Sequence, residues 1–552
     1  MQHHTGPSPV LVIDQLHVAL PPGSDRAYAV EDVSLRIYPG KTLCVVGESG
    51  SGKSVMATAV MGLLARELMP GPGSIALQGE SLLDASAQRL RALRGQAMGM
   101  VFQEPMTALN PVMNCGAQID ELLRQHTDWG AKRRSEAVLK ILHRVKLPEP
   151  ERMMRSYPHQ LSGGQRQRIV IAMAVILQPA LLICDEPTTA LDVTTQKEIL
   201  RLIEELQADL SGGHRCAVLF ITHDMGVVAE IADEVLVMHQ GKAVEYGTRD
   251  AVLKTPQADY TKMLLAAVPS MTPPPARPAP KGAPLLRGQD VSKTYSVRDW
   301  LGRSRLTHAL QAASVAVHAG ETVGIVGESG SGKSTLARCL IRLIDPTGGE
   351  VMWGRAVPGQ DRDDAMLDVA SFTEGQLRPL RSQVQVVFQD PNRSLNPRRK
   401  VGDSIIEGAI NFGASRAEAM TLAVSLMDKV QLPAEGLQRY PSQFSGGQRQ
   451  RIAIARALAC RPRVLVADEA VSALDVSVQA QILNLLREIQ AELGLGLLFI
   501  THDLRVAAQL CDRVLVMHHG KIVEEGPTAE LYARPQHDYT RRLLAAAPGG
   551  IA

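Results

Sequence analysis

The octapeptide GESGSGKS stands at 47–54 and again at 327–334, each time after a short β-branched run and before an apolar helical stretch. Its spacing, G-x-x-x-x-G-K-S, is that of a loop which cradles phosphates. The backbone around Gly47, Ser49, Gly50 and Gly52, and around Gly327, Ser329, Gly330, Gly332 and Thr335, offers N–H groups at a helix N-terminus, where anions are favoured. Lys53 and Lys333 can reach the β- and γ-phosphates, and the Ser54 and Ser334 hydroxyls can ligate Mg2+. Two copies in register point to nucleotide binding at two places, with Mg2+ beside the phosphates.

A carboxylate pair closes each of two further apolar runs: Asp185 and Glu186 in ALLICDEP, and Asp468 and Glu469 in RVLVADEA. At the C-terminal edge of a buried strand the aspartate suits Mg2+, through water, and the glutamate suits polarising an attacking water. His223 and His502 follow apolar strands in ITHD, within reach of a γ-phosphate. Ser162, Gly163, Gly164 and Gln165, and likewise Ser445, Gly446, Gly447 and Gln448, open helices with two glycines, leaving backbone donors for an oxyanion. Phosphoryl transfer demands little beyond such positioning and charge neutralisation.

These residues recur because the chain repeats itself. VGESGSGKS returns after 280 residues, VFQ[ED]P after 286, SGGQRQRI and the DE strand after 283, and ITHD after 279. The repeat divides the 552 residues into a first domain at 1–268, a linker at 269–284 and a second domain at 285–552. The linker, PSMTPPPARPAPKGAP, has seven prolines and reads as a semi-rigid extended spacer of roughly 50 Å. Strands alternating with helices argue for a mainly parallel sheet covered on both faces. The stretches 111–160 and 397–443 lack strands and read as helical.

Composition narrows the function classes. With 59 basic against 57 acidic side chains and no long basic run, nucleic acid is not the expected partner. The seven scattered cysteines lack any C-x-x-C spacing, which reads as reduced core residues without a zinc or iron–sulfur site. The N-terminal stretch reads as a first β-strand, and no window approaches the roughly 20 apolar residues that span a bilayer, so work at a membrane would go through partners.

Taken together, GESGSGKS, Gln103 or Gln389, [LF]SGGQ, DE, ALD and the ITHD histidine resemble the nucleotide-binding domains of ABC transporters, over essentially the whole chain. The resemblance implies an α/β fold of two tandem P-loop ABC ATPase domains. Each would have a mainly parallel sheet core, an antiparallel β subdomain and a helical subdomain. It also implies head-to-tail pairing, in which Lys53, Ser54, Gln103, Asp185, Glu186 and His223 share one ATP with Ser445 to Gln448. Lys333, Ser334, Gln389, Asp468, Glu469 and His502 would share the other with Ser162 to Gln165. Gln103 and Gln389 would join the metal and catalytic groups, and Asp192 and Asp475 match interface aspartates. EPMTALNP, DPNRSLNP and the endings DYTKMLLAAVP and DYTRRLLAAAP narrow the likeness to ATPases of bacterial peptide and nickel importers, the fused double ATPases of glutathione import above all. The implied activity is ATP hydrolysis driving import of glutathione, di- or oligopeptides, with nickel or another small solute as the alternative. The implied partners are two integral membrane permease subunits and an external solute-binding protein, with this chain peripheral on the cytoplasmic face of the inner membrane. A soluble two-domain ABC translation factor would carry a long charged helical linker, and a DNA-repair ATPase a coiled-coil insertion; neither is present in the sequence.

Three departures stand out. No cysteine cluster follows either LLAA[VA]P, unlike many single-domain relatives. Pro187 becomes Ala470 in the second copy, which is expected to relax a bias of Glu186 toward extended backbone while leaving both sites hydrolytic. Finally, Tyr295 fits the family's adenine-stacking aromatic, whereas the first copy has Leu20 there, with Tyr28 aligning poorly. Either the first site forgoes stacking or another side chain covers the base.

Overall fold

The structure, a computed structural model, describes residues 8–189, 191–208, 215–278, 280, 282–298, 304–354, 366–472 and 474–547. Each half is built on a six-stranded sheet. In the first, the strands run in the order Lys242–Thr248, Glu234–His239, Thr42–Val46, Ala217–Ile221, Leu181–Asp185, Met98–Val101. All neighbours are parallel except the antiparallel edge strand Lys242–Thr248. The second half repeats this order with Thr322–Val326, Val464–Asp468 and Gly496–Ile500 among its central strands.

The central strands are buried at every position because helices or a second sheet cover both faces. Alternate residues of Thr42–Val46 therefore enter different cores. Cys44 and Val46 pack with Ile119, Ile169 and Phe220, while Leu43 and Val45 pack with Leu11, Val33, Met56 and Ile75. The second core lies under an antiparallel sheet whose hairpin pairs Leu11–Ala19 with Tyr28–Ile37. The helical expectation for 111–160 and 397–443 is met by Cys115–His126, Ala131–Arg144 and Pro150–Arg155, and by Val401–Asn411 and Arg416–Lys429. All seven cysteines are free, and six are buried.

The linker differs from a free-standing spacer. Gln509 Nε2 donates to the carbonyls of Ser270 and Thr272 at 3.0 and 2.8 Å, Arg277 bonds Gln490 at 3.0 Å, and Met271 packs on the second half's core. Side chains of the second half thus fasten the segment. Gln509→Ala removes two hydrogen bonds worth about 1 kcal/mol each at most. It is expected to speed limited proteolysis within 270–278 while moving the unfolding temperature by only a few degrees. Unchanged cleavage would mean that the prolines alone hold the segment.

Candidate functional site

The phosphate loop of each half folds under a neighbouring strand end. Gly47 has φ 145°, and a Cβ there would lie 2.1 Å from the Met238 carbonyl oxygen; Gly327 has φ 148° and the same conflict with Met517 at 2.2 Å. Only glycine fits. The lysine that follows is buried, and its Nζ donates to the carbonyls of Gly47 and Glu48 at 2.8 and 2.9 Å, as Lys333 does to Gly327 and Glu328 at 2.7 and 2.8 Å. Burial pulls the Lys53 ammonium below its usual range, opposed by Glu186 and by Asp475 of the other half.

The strand-end carboxylates meet this loop. Ser54 Oγ donates to Asp185 at 3.0 Å and Ser334 Oγ to Asp468 at 2.9 Å. These hard oxygen pairs fit Mg2+, which takes one or two protein oxygens and fills its remaining positions with phosphate and water. Glu186 accepts from Gln103 Nε2 at 3.0 Å and Thr189 Oγ1 at 2.9 Å, and lies 3.3 Å from His223 Nδ1. Glu469 accepts from Gln389 at 2.8 Å and lies 3.4 Å from His502. The Gln103 and Gln389 amide nitrogens thus hold the glutamates.

The expectation of an extended Glu186 is overturned. Glu186 has φ 47° and Glu469 φ 49°, both left-handed, although proline follows only the first. In each half the glutamate N–H bonds the last residue of the neighbouring strand, Ile221 or Ile500, and this tertiary bond outweighs the local bias. A non-glycine residue held there is strained, as at many reactive centres.

Across the two halves, Ser49 N–H donates to Asp475 at 2.8 Å, and Ser477 Oγ bonds Glu48. Asp192 lines the opposite cavity of about 610 Å³ together with Lys333, Ser334, Gln389 and His502. The interface aspartates therefore face the opposing phosphate loops. The SGGQ tracts do not reach that far: among the described residues no hydrogen bond joins them to the opposite loop. Ser162 and Gln165 instead form a capping box, Gln165 N–H donating to Ser162 Oγ at 3.3 Å, and Ser445 and Gln448 do the same. A Cβ on Gly164 would come within 2.6 Å of Thr195, and one on Gly447 within 2.3 Å of Val478, so the second glycine admits the interface helix. Gly163 and Gly446 leave more room.

Strand register fixes which residues of the two hairpins correspond. Leu20 N–H bonds the Ala27 carbonyl, and Tyr295 stands opposite Thr307; Tyr28 pairs with Ala19 as His308 pairs with Thr294. Leu20 is thus the counterpart of Tyr295, and Tyr28 of His308. Tyr295 is exposed, with Lys293 Nζ 5.2 Å from its ring centroid.

Several residues escaped the sequence reading. Arg26 bonds the Gly50 carbonyl of the first phosphate loop, where the second half has Leu306. Arg338 approaches Asp468 to 3.8 Å, where the first half has Thr58. Tyr260 and Tyr539 accept from Glu48 and Glu328 N–H at 3.3 and 3.1 Å, buttressing both loops; the repeated DYT was their signal.

Two phosphate loops, each with a lysine, a serine–aspartate pair and a histidine-backed glutamate, define a paired P-loop nucleoside triphosphatase. Residues 30–189 and 310–472 match the ABC transporter family, and 244–298 and 523–549 match the oligopeptide/dipeptide transporter C-terminal region. The chain is 45% identical over 572 residues to the glutathione import ATP-binding protein GsiA of Escherichia coli (strain K12), and 44% over 577 residues to that of Shigella dysenteriae serotype 1 (strain Sd197). Each alignment covers 98% of this chain and 89% of the relative. A dimeric cassette, MJ0796, bound to ADP and Pi aligns with 44% of the chain and 98% of its own at 28% identity and TM-score 0.38. The chain belongs to the ABC transporter ATP-binding family and is a transporter ATPase of the peptide-importer type.

Burial alone would raise the Glu186 carboxyl, but the His223 hydrogen bond and charge, with Thr189 and Lys53, bring it down to about 2. Burial would lower His223, yet Glu186 raises it above its usual 6.5. The imidazolium stabilises in full below pH 6.5 and loses that share as pH rises through its raised value. The carboxylate's share is present above pH 4.5 and is lost as pH falls toward 2. The gap in unfolding temperature between wild type and His223→Gln is expected to be widest between pH 4.5 and 6.5. A gap independent of pH would mean that the pair is not ionised. Because φ barely differs between the two glutamates, Pro187→Ala is expected to keep the hydrolysis rate within about twofold; a larger loss in single-turnover assays would give the proline a role of its own.

Proposed function

We propose that the chain is the ATP-hydrolysing subunit of an importer for glutathione or related short peptides. It works peripherally on the cytoplasmic face of the inner membrane, with two permease subunits and an external solute-binding protein. The observation that carries the reading is the complete glutamate, histidine, lysine and serine–aspartate set in both halves. The match to glutathione import ATP-binding proteins along 98% of the chain supports the cargo class. No helix among the described residues is long and apolar enough to cross a membrane, which agrees with separate permease subunits.

In this reading Lys53 and Lys333 hold the β- and γ-phosphates, and Ser54 with Asp185, and Ser334 with Asp468, hold Mg2+, helped by Gln103 and Gln389. The bound ion supplies neutralisation of phosphate charge. Glu186 and Glu469, kept ionised by His223 and His502, orient and polarise the attacking water. The SGGQ tracts close on the nucleotide of the other half, a movement passed to the permease. At the first site Arg26 stands where it can cover the nucleotide in place of an aromatic, while Tyr295 stacks at the second.

Both sites are then hydrolytic. Glu186→Gln and Glu469→Gln are each expected to slow single-turnover cleavage at their own site by about 10²-fold or more while leaving it at the other site. If Glu469→Gln changed nothing, the second site would be silent. Proteoliposomes carrying the chain with its co-purified membrane subunits and binding protein should show ATP-driven uptake of glutathione or dipeptides. Uptake of nickel alone would move the cargo to metal ions, and recovery of the chain as a free ATPase on ribosomes would overturn the importer reading.

A further inference from the structure

We propose that Arg505 is a positioning residue that couples the two hydrolytic centres; this rests on the assignment of both as ATP sites. Arg505 lies on the short helix Leu504–Leu510 and is almost wholly buried between the halves. Its Nη1 and Nη2 donate to both carboxylate oxygens of Asp224 in the first half at 2.9 and 3.0 Å. Nη2 and Nε also donate to Asp503 in its own half at 3.0 and 3.2 Å. One guanidinium thus bridges two carboxylates across the interface.

Those carboxylates belong to the residues that directly follow His223 and His502. Each is woven into the backbone beside its histidine. Asp224 N–H donates to Thr222 Oγ1 at 3.0 Å and its Oδ1 accepts from Gly226 N–H at 2.8 Å; Asp503 N–H donates to Thr501 Oγ1 at 3.0 Å and its Oδ1 accepts from Arg505 N–H at 2.8 Å. The further polar neighbour is Gln196, whose Nε2 lies 3.5 Å from Asp224. A displacement of either histidine on binding or losing a γ-phosphate must therefore move its aspartate, and with it the shared guanidinium and the other aspartate.

The arrangement is not symmetric, because the position equivalent to Arg505 in the first half is Gly226. A single planar fork serves both centres, and a lysine could not make the two-point contact with Asp224 while also holding Asp503. Without the cation, two half-buried carboxylates would face each other without a shared counter-charge.

The test uses the full chain as wild type, Arg505→Lys, Arg505→Ala and Asp224→Asn/Arg505→Ala. The double variant removes an orphaned carboxylate, so that folding and coupling are separated. Steady-state ATPase against ATP concentration, ATP affinity in Glu186→Gln/Glu469→Gln backgrounds and unfolding temperature are measured together. Wild type is expected to hydrolyse ATP with a Hill coefficient above one. Arg505→Ala and the double variant are expected to bring it to one and to lower kcat by about fivefold or more, with ATP affinity changed by less than about threefold. Arg505→Lys should recover unfolding temperature without recovering the Hill coefficient. A wild type that hydrolyses ATP without cooperativity, or a folded double variant with the wild-type Hill coefficient and kcat, overturns the proposal. A wild type with no ATPase activity would instead strike the functional reading on which it rests.

Discussion

The chemistry of each half depends on one close approach: the phosphate loop passes beneath the end of a neighbouring strand at Gly47 and at Gly327, where no side chain fits under the carbonyl of Met238 or Met517. That contact sets the direction in which Lys53 and Lys333 enter their helices. It also sets the height of Ser54 and Ser334 relative to the strand-end aspartates, 3.0 and 2.9 Å away. Parallel strands deliver these groups together because their C-terminal ends all emerge on one edge, the general location of ligand sites in open α/β sheets. The glutamates at the next positions then leave the strand through left-handed backbone, a local strain held by a hydrogen bond from a neighbouring strand.

The two halves repeat the hydrolytic groups closely and differ around them. Leu20 and Arg26 in the first half stand where the second has Tyr295 and Leu306. Thr58 is replaced by Arg338 beside the strand-end aspartate, and Gly226 by Arg505 at the interface. Ser49 reaches Asp475, whereas the opposite loop borders an open cavity lined by Asp192. The duplicated chain has thus kept one set of reacting groups and varied what surrounds the nucleotide and joins the halves. Joining them in one chain makes such division possible, since a homodimer would carry every change twice.

The halves also grip each other through their C-terminal helices. Asp259–Ala266 of the first packs on Val476–Leu493 of the second, and Asp538–Ala546 on Val193–Ala208. Each of these C-terminal helices carries the tyrosine that supports its own phosphate loop. The support of one loop is therefore mechanically continuous with the interface helix that follows the opposing aspartate.

Much of this was legible in the sequence because it depends on short-range chemistry. A glycine-rich loop between strand and helix, a carboxylate pair ending an apolar strand and a five-motif repeat point to the parallel sheets and to the residues that the structure brings together at each phosphate loop. The Leu20 and Tyr295 equivalence was also readable, since hairpin register follows from the hydrophobic pattern. Other features depended on atoms far apart in the chain. The left-handed glutamates ran against the local bias of Pro187, because a cross-strand bond outweighs a single-residue preference. The linker was fastened by Gln509, more than 230 residues away, and Arg505 found Asp224 across 281 residues. Sequence alone determined the phosphate loops, the strand-end carboxylates and the repeat that pairs them, since identity and spacing fix local geometry; the packing of the halves decided which side chains link the halves, since long-range contacts leave no periodic trace.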